Sequence, residues 1–301
     1  MIWGLLAVAS AVLLGIYDIF KKKSLNDNAV LPVLFFSTLT GALICIPFLL
    51  LSRISPEWAS QHFWFVPQIT AKEHLLFFCK SLIVGSSWVF AYFAVKNLPL
   101  TIVSPIRSSG PFWTLTGAIL IFGEVMNAWQ WTGVIVTIVF YYIFSFVGKK
   151  EGIEFRKNKW VMFMVLATII GSFSALYDKY LVGHYNRMAM QAWFSIYMIP
   201  IMGTLLLTLW YPKRKEFTPF QWRNTIPLIG GTLIIADFIY FRALSYEGAL
   251  VAVVSTIRRS SVVISFTLAA ILFKEKNIWL KALVLLGILA GIAIIIIGGS
   301  K

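Results

Sequence analysis

Ten stretches of roughly 20 mostly apolar residues follow one another along this chain, each the length a helix needs to cross the hydrocarbon of a bilayer. They fall at about 2–20, 30–51, 74–95, 98–122, 128–147, 160–181, 188–210, 225–245, 249–273 and 277–298. A composition of 59% apolar and only 13% charged residues excludes an ordinary water-soluble domain. The pattern predicts an all-α integral membrane protein. The first run has Lys21-Lys22-Lys23 behind it and no basic residue ahead of it, which reads as a retained helix and not a secretory leader.

Two of the stretches carry arginine near mid-membrane depth. These are Ser104-Pro105-Ile106-Arg107-Ser108-Ser109-Gly110 and Ser255-Thr256-Ile257-Arg258-Arg259-Ser260-Ser261. An arginine at a helix centre costs roughly 2.5 to 3.5 kcal/mol to insert, and each Leu, Ile, Val or Phe returns about 0.3 to 0.6. Between Ala249 and Phe273 thirteen such apolar residues return about 4 to 8 kcal/mol, against about 5 to 7 for Arg258 and Arg259. That helix barely inserts alone, so its arginines must face other helices, water or a bound anion.

The net charge of +14 does not indicate nucleic acid, because many of the basic residues sit in short connectors between apolar runs. Connectors after spans 1, 3, 5, 7 and 9 hold about 3, 1, 5, 4 and 2 Lys or Arg, and the opposite side about four in total. This bias puts the middle linker in the cytoplasm and both termini outside a cell membrane. The segment 52–73, with Trp58, Phe63, Trp64 and Phe65, suits the headgroup zone.

The halves repeat. Leu6-Ala7 through Tyr17-Asp18 matches Leu166-Ala167 through Tyr177-Asp178 at an offset of 160. Ser104-x-Ile106-Arg107 matches Ser255-x-Ile257-Arg258 at an offset of 151, as Phe122-Gly123-Glu124 does Phe273-Lys274-Glu275. With five spans each, residues 1–150 and 151–301 enter from opposite faces. The expected fold is therefore ten transmembrane helices as two inverted five-helix repeats, with a solute site near the midplane between them.

Tyr92-Phe93-Ala94-Val95-Lys96-Asn97-Leu98-Pro99, Ser104-Pro105 and Ile121-Phe122-Gly123-Glu124, with their second copies Phe241-Arg242-Ala243-Leu244-Ser245-Tyr246, Ser255 and Leu272-Phe273-Lys274-Glu275, resemble the drug/metabolite transporter superfamily. The likeness is to its ten-helix form with two EamA-type repeats. That resemblance implies a carrier of small metabolites, and the intramembrane arginines depart from the common family pattern.

Ser104, Arg107 and Ser108 share a helical face, as do Ser255, Arg258 and Arg259. Their guanidinium groups suit carboxylates and phosphates, so these residues are read as solute contacts, with pairing to a local carboxylate as the structural alternative. Trp88, Tyr92 and Tyr240 are aromatic candidates for the same chamber. Asp18 and Asp178, at matching places late in spans 1 and 6, are candidate gates at opposite mouths; Asp18 can also reach Lys21 or Lys22. Asp237, the deepest carboxylate, is a candidate for gating or proton coupling, with Arg242 or Lys80 as expected partner. Pro105 and Pro111 should bend span 4, and Glu124 and Glu275 read as turn devices. Gly287-x-x-x-Gly291 permits close helix approach, within the chain or to a second copy.

No nucleophile elbow, P-loop, zinc spacing or nucleotide fingerprint occurs. The expectation is a secondary transporter, not an enzyme, with no cofactor and no metal. It would carry an anionic or zwitterionic metabolite across a lipid bilayer by alternating access, coupled to a proton or counter-solute, as monomer or homodimer. A flippase for a lipid-linked anion is the alternative, and a membrane-embedded enzyme the weakest.

Overall fold

The computed structural model describes residues 2–110, 112–113, 127–149, 153–155, 157–244, 258, 261–273 and 277–299. Their helices are α1 (Ile2–Leu25), α2 (Val30–Ile54), α3 (Pro56–Ala59), α4 (Ala71–Asn97), α5 (Leu100–Ser108), α6 (Ala128–Lys149), α7 (Lys159–His184), α8 (Arg187–Leu205), α9 (Thr225–Leu244), α10 (Ser261–Phe273) and α11 (Ile278–Gly299). α8 runs on into a π-helical turn, Leu206–Trp210. Apart from the single turn α3, every helix falls on one of the ten predicted spans, and α5 and α10 describe part of the fourth and ninth. Five helices are long and apolar enough alone to cross a bilayer, with four shorter apolar stretches beside them.

Side chains mark where several helices begin. Thr70 and Glu73 cap α4 reciprocally, while Asn158 and Asn186 each accept two backbone N–H groups at the starts of α7 and α8. The basic triplet expected in a connector instead forms the last turns of α1. Lys22 Nζ donates to the carbonyls of Val95 at 2.7 Å, Lys96 at 3.3 Å and Leu98 at 2.6 Å, closing the C-terminus of α4 where the helix dipole favours a cation.

Helix pairing shows the duplication. α1 packs on α9 and α4 on α7, and each contact becomes the other when the halves are exchanged. The same exchange relates α1–α10 to α5–α7 and α2–α9 to α4–α8, while α2–α8, α5–α10 and α6–α11 map onto themselves. The protein is an all-α membrane fold of two inverted five-helix repeats.

Gly287 and Gly291 lie on the α6–α11 contact, against Phe140, Thr137 and Gly133 of α6. The small-residue face is thus buried inside the chain. Pro105 sits within α5, which closes three residues later as the Ser109 N–H turns back to the Ile106 carbonyl at 3.2 Å. Pro111, Glu124 and Glu275 lie outside the described residues.

Candidate functional site

Where α2 and α4 of the first half face α8 and α9 of the second, a cavity holds about 350 Å³ of atom-free space, its mouth included. Trp88 and Tyr92 line it from α4, and Ser37, Thr38 and Gly41 from α2. Gln191, Phe194, Ser195 and Met198 of α8 face them, with Gly230 and its neighbours on α9. Among these lining residues the ionisable tyrosine hydroxyl is the nearest thing to a charge; the rest are hydroxyls, one amide and apolar groups.

The hydroxyls have a defined polarity. Ser37 donates to the Leu34 carbonyl at 2.9 Å, Thr38 to Phe35 at 2.8 Å and Ser195 to Gln191 at 3.0 Å. With their protons turned back on their own helices, they offer the cavity lone pairs. Tyr92 OH lies 3.4 Å from Ser37 Oγ, and the Trp88 ring meets Phe194 edge to face at 5.8 Å.

Ion pairs flank this chamber. Toward the α1 C-terminus, Asp18 is 1% exposed and takes Arg107 at 2.5 Å on one oxygen and Lys21 at 3.0 Å on the other. The Lys21 ammonium also lies 4.5 Å from the Tyr17 ring centre and 5.3 Å from that of Tyr92, which connects the cluster to the cavity wall. One carboxylate facing two cations leaves an excess of positive charge beside buried Asp18. Toward the other end, Asp237 pairs with Arg258 and accepts the Gln191 amide at 3.1 Å. Arg258 stacks over Tyr240 at 4.4 Å. Lys80 pairs with Asp178 and lies over the Phe194 ring at 5.2 Å.

Hydrogen bonds between α1 and α9 set the relative depth of these clusters. Ser24 Oγ meets Thr225 Oγ1 at 2.6 Å, and Ser10 donates to the Ala236 carbonyl at 2.8 Å, so the helices run antiparallel. Asp18 is six residues from Ser24 and Asp237 twelve from Thr225, a difference of about 9 Å along the bundle at 1.5 Å per residue.

Of the sequence-predicted site residues, Trp88 and Tyr92 line the cavity. Arg107 and Arg258 are not among its lining residues; they are held by different carboxylates at different depths. Ser104 Oγ instead meets Ser265 Oγ at 3.2 Å on the α5–α10 contact. The partners expected for Asp237 are corrected: Arg258 takes that carboxylate, Lys80 goes to Asp178, and Arg242 lies over Phe63 at 5.5 Å. Ser255 and Arg259 lie outside the described residues. Sequence reading missed Ser37, Thr38, Gln191 and Ser195. Gln191 carried a usable signal, as an amide inside an otherwise apolar span.

A two-repeat helical membrane protein with a cavity between the repeats, mostly apolar and dotted with hydroxyls and one amide, belongs, as a class, with the membrane carriers. The EamA-like transporter family matches the chain twice, over residues 1–146 and 158–297, and the protein belongs to that family. No curated protein is significantly similar to it. A solved structure described only as the crystal structure of a protein shares its fold, with a TM-score of 0.61 and 13% identity over 97% of this chain and 95% of that one.

Proposed function

We propose that this protein is a secondary active transporter, not an enzyme. It moves a small polar metabolite, anionic or zwitterionic, through the chamber between its repeats by alternating access. The observation that carries this reading is the chamber itself, built from two helices of each half and flanked by part-buried ion pairs at different depths.

The local chemistry favours a zwitterion. Lone pairs on Ser37, Thr38 and Ser195 suit a cationic N–H donor, and the excess positive charge around Asp18, Lys21 and Arg107, felt across Tyr92, favours an anionic end. Asp18–Arg107 and Asp178–Lys80 act as gates toward opposite mouths, and Asp237–Arg258 responds to occupancy through Gln191. The repeats divide at the basic linker near residue 150. The charge bias favours a cell membrane with both termini outside.

A thermal-shift screen of purified protein against amino acids, organic acids and sugar phosphates identifies the solute. Counterflow of that solute, labelled, in proteoliposomes then tests the function. Unchanged solute should exchange across the membrane, with loss of exchange in Arg107→Gln and in Arg258→Gln. Absence of exchange by well-folded protein, or recovery of a chemically altered product, overturns the proposal.

A further inference from the structure

Two contacts that the duplication makes equivalent are built from different materials, and both border the chamber. At Gly230 the α2–α9 contact is backbone against backbone, while Gly41 one step along meets the Ile234 side chain. A Cβ added at Gly230 would meet the Ser37 carbonyl oxygen, the Gly41 nitrogen at 2.9 Å and the Thr40 Cβ at 3.0 Å. Backbone atoms cannot move aside as side-chain ends can, so parting the helices at Gly230 forfeits close packing. Further bonds tie α9 and its approach to α1 and to the connector between α1 and α2. Ser10 reaches the Ala236 carbonyl, Asn28 donates to the Gln221 carbonyl at 2.7 Å, and the Gln221 N–H donates to Asn28 at 2.8 Å.

At the equivalent α4–α8 contact, the three atoms nearest to a Cβ added at Gly85 all belong to side chains. These are Met202 Cε at 2.8 Å, Ile201 Cγ2 at 3.5 Å and Met198 Sδ at 3.6 Å. Thioether side chains repack at little cost. The polar links on this contact are exchangeable too: His74 Nδ1 to Tyr197 OH at 2.6 Å, and a 3.4 Å donation from Ser81 to the Phe194 carbonyl that its hydroxyl shares with Phe77.

We propose that the chamber opens by separation of α4 from α8 along the methionine-filled seam at Gly85, while α2 and α9 remain joined at Gly41 and Gly230. This rests on the transport reading, and it makes the two repeats mechanically unequal. Gly230 marks the fixed wall and Met198 and Met202 the yielding one.

Disulfide locks test it without knowledge of the solute. In a background with Cys45 and Cys79 replaced by serine, Ser195→Cys places a reporter thiol on the chamber wall. Its labelling by a membrane-impermeant thiol reagent is read by peptide mass spectrometry at position 195. Gly85→Cys with Ile201→Cys locks the soft seam. Gly41→Cys with Ile234→Cys locks the fixed one, since Ile234 Cγ1 is 3.5 Å from a Cβ at Gly41. Oxidation of the first pair should slow reporter labelling at least tenfold and reduction should restore it; oxidation of the second should change the rate less than twofold. The opposite pattern, or equal effects, overturns the proposal. No labelling in any reduced form overturns the transport reading beneath it. If a locked variant fails to fold, single alanines decide: Gly230→Ala should lower the melting temperature sharply and Gly85→Ala little, and equal losses overturn the assignment.

Discussion

Asp18 of α1 grips Arg107 of α5 at 2.5 Å within the bundle, and it does so with a carboxylate that already neutralises Lys21 at 3.0 Å. The partners are therefore not equivalent under mutation. Removing Asp18 leaves buried Lys21 and part-buried Arg107 side by side without a counter-charge, a change that costs up to about 3 to 5 kcal/mol. Removing Arg107 leaves a complete Asp18–Lys21 pair. Asp18→Asn should fail to give monodisperse protein in detergent, or melt far below wild type. Arg107→Gln should purify normally and lose exchange. Equal stability of the two variants, measured by fluorescence-detected gel filtration after heating, contradicts this account.

Gln191 is the polar residue that both lines the chamber and bonds to a flanking ion pair, with its amide 3.1 Å from Asp237. Leucine is similar in size and removes only the hydrogen-bonding end. Asp237 keeps Arg258 in that variant, so the fold should persist at a cost of about 1.5 to 3 kcal/mol, the usual worth of a hydrogen bond to a charged group. Gln191→Leu should nevertheless lose at least tenfold in exchange of the screened solute, with Gln191→Asn intermediate. Full exchange by the leucine variant would detach Asp237–Arg258 from occupancy of the chamber.

Span positions and the inverted duplication were legible because each rests on a local pattern, apolar runs of bilayer length and anchors at offsets of 160 and 151. Ion-pair partners were not, since they depend on which helix faces which. Asp237 and Arg242 share α9, yet Asp237 reaches across to Arg258 while Arg242 turns to Phe63 in the α2–α4 connector. The chamber's hydroxyls were hidden for another reason. Serine and threonine occur throughout these helices and commonly bond their own backbone, as Ser52, Thr132 and Thr204 do away from the chamber. Only packing distinguishes Ser37 and Ser195 from those.

Lys22 supplies a test of how the basic end of α1 organises the bundle. Its ammonium takes three carbonyls at the end of α4, between 2.6 and 3.3 Å. Lys22→Met keeps the stem and removes the donors, and should cost about 1 to 2 kcal/mol by the usual worth of a cation at a partly buried helix C-terminus. Lys22→Arg retains charge and donors and should recover most of that. Melting temperatures of the two variants measure the difference, and a methionine variant as stable as wild type removes the capping role.

The α6–α11 seam offers the sharpest separation between two glycines of one motif. A Cβ at Gly287 would run into the Phe140 ring, whereas a Cβ at Gly291 would meet the Thr137 hydroxyl and, with it, backbone: the Thr137 nitrogen at 2.9 Å and the Gly133 carbonyl at 3.0 Å. A ring can be shortened by mutation; backbone cannot. Gly287→Ala and Gly291→Ala should each destabilise by about 1 to 3 kcal/mol, as overpacking generally does. Adding Phe140→Leu should rescue the first and leave the second unrelieved. Because both glycines face α6 of the same chain, neither substitution should change the oligomeric state seen by light scattering. A change in oligomer size with either alanine would instead put this face between two copies.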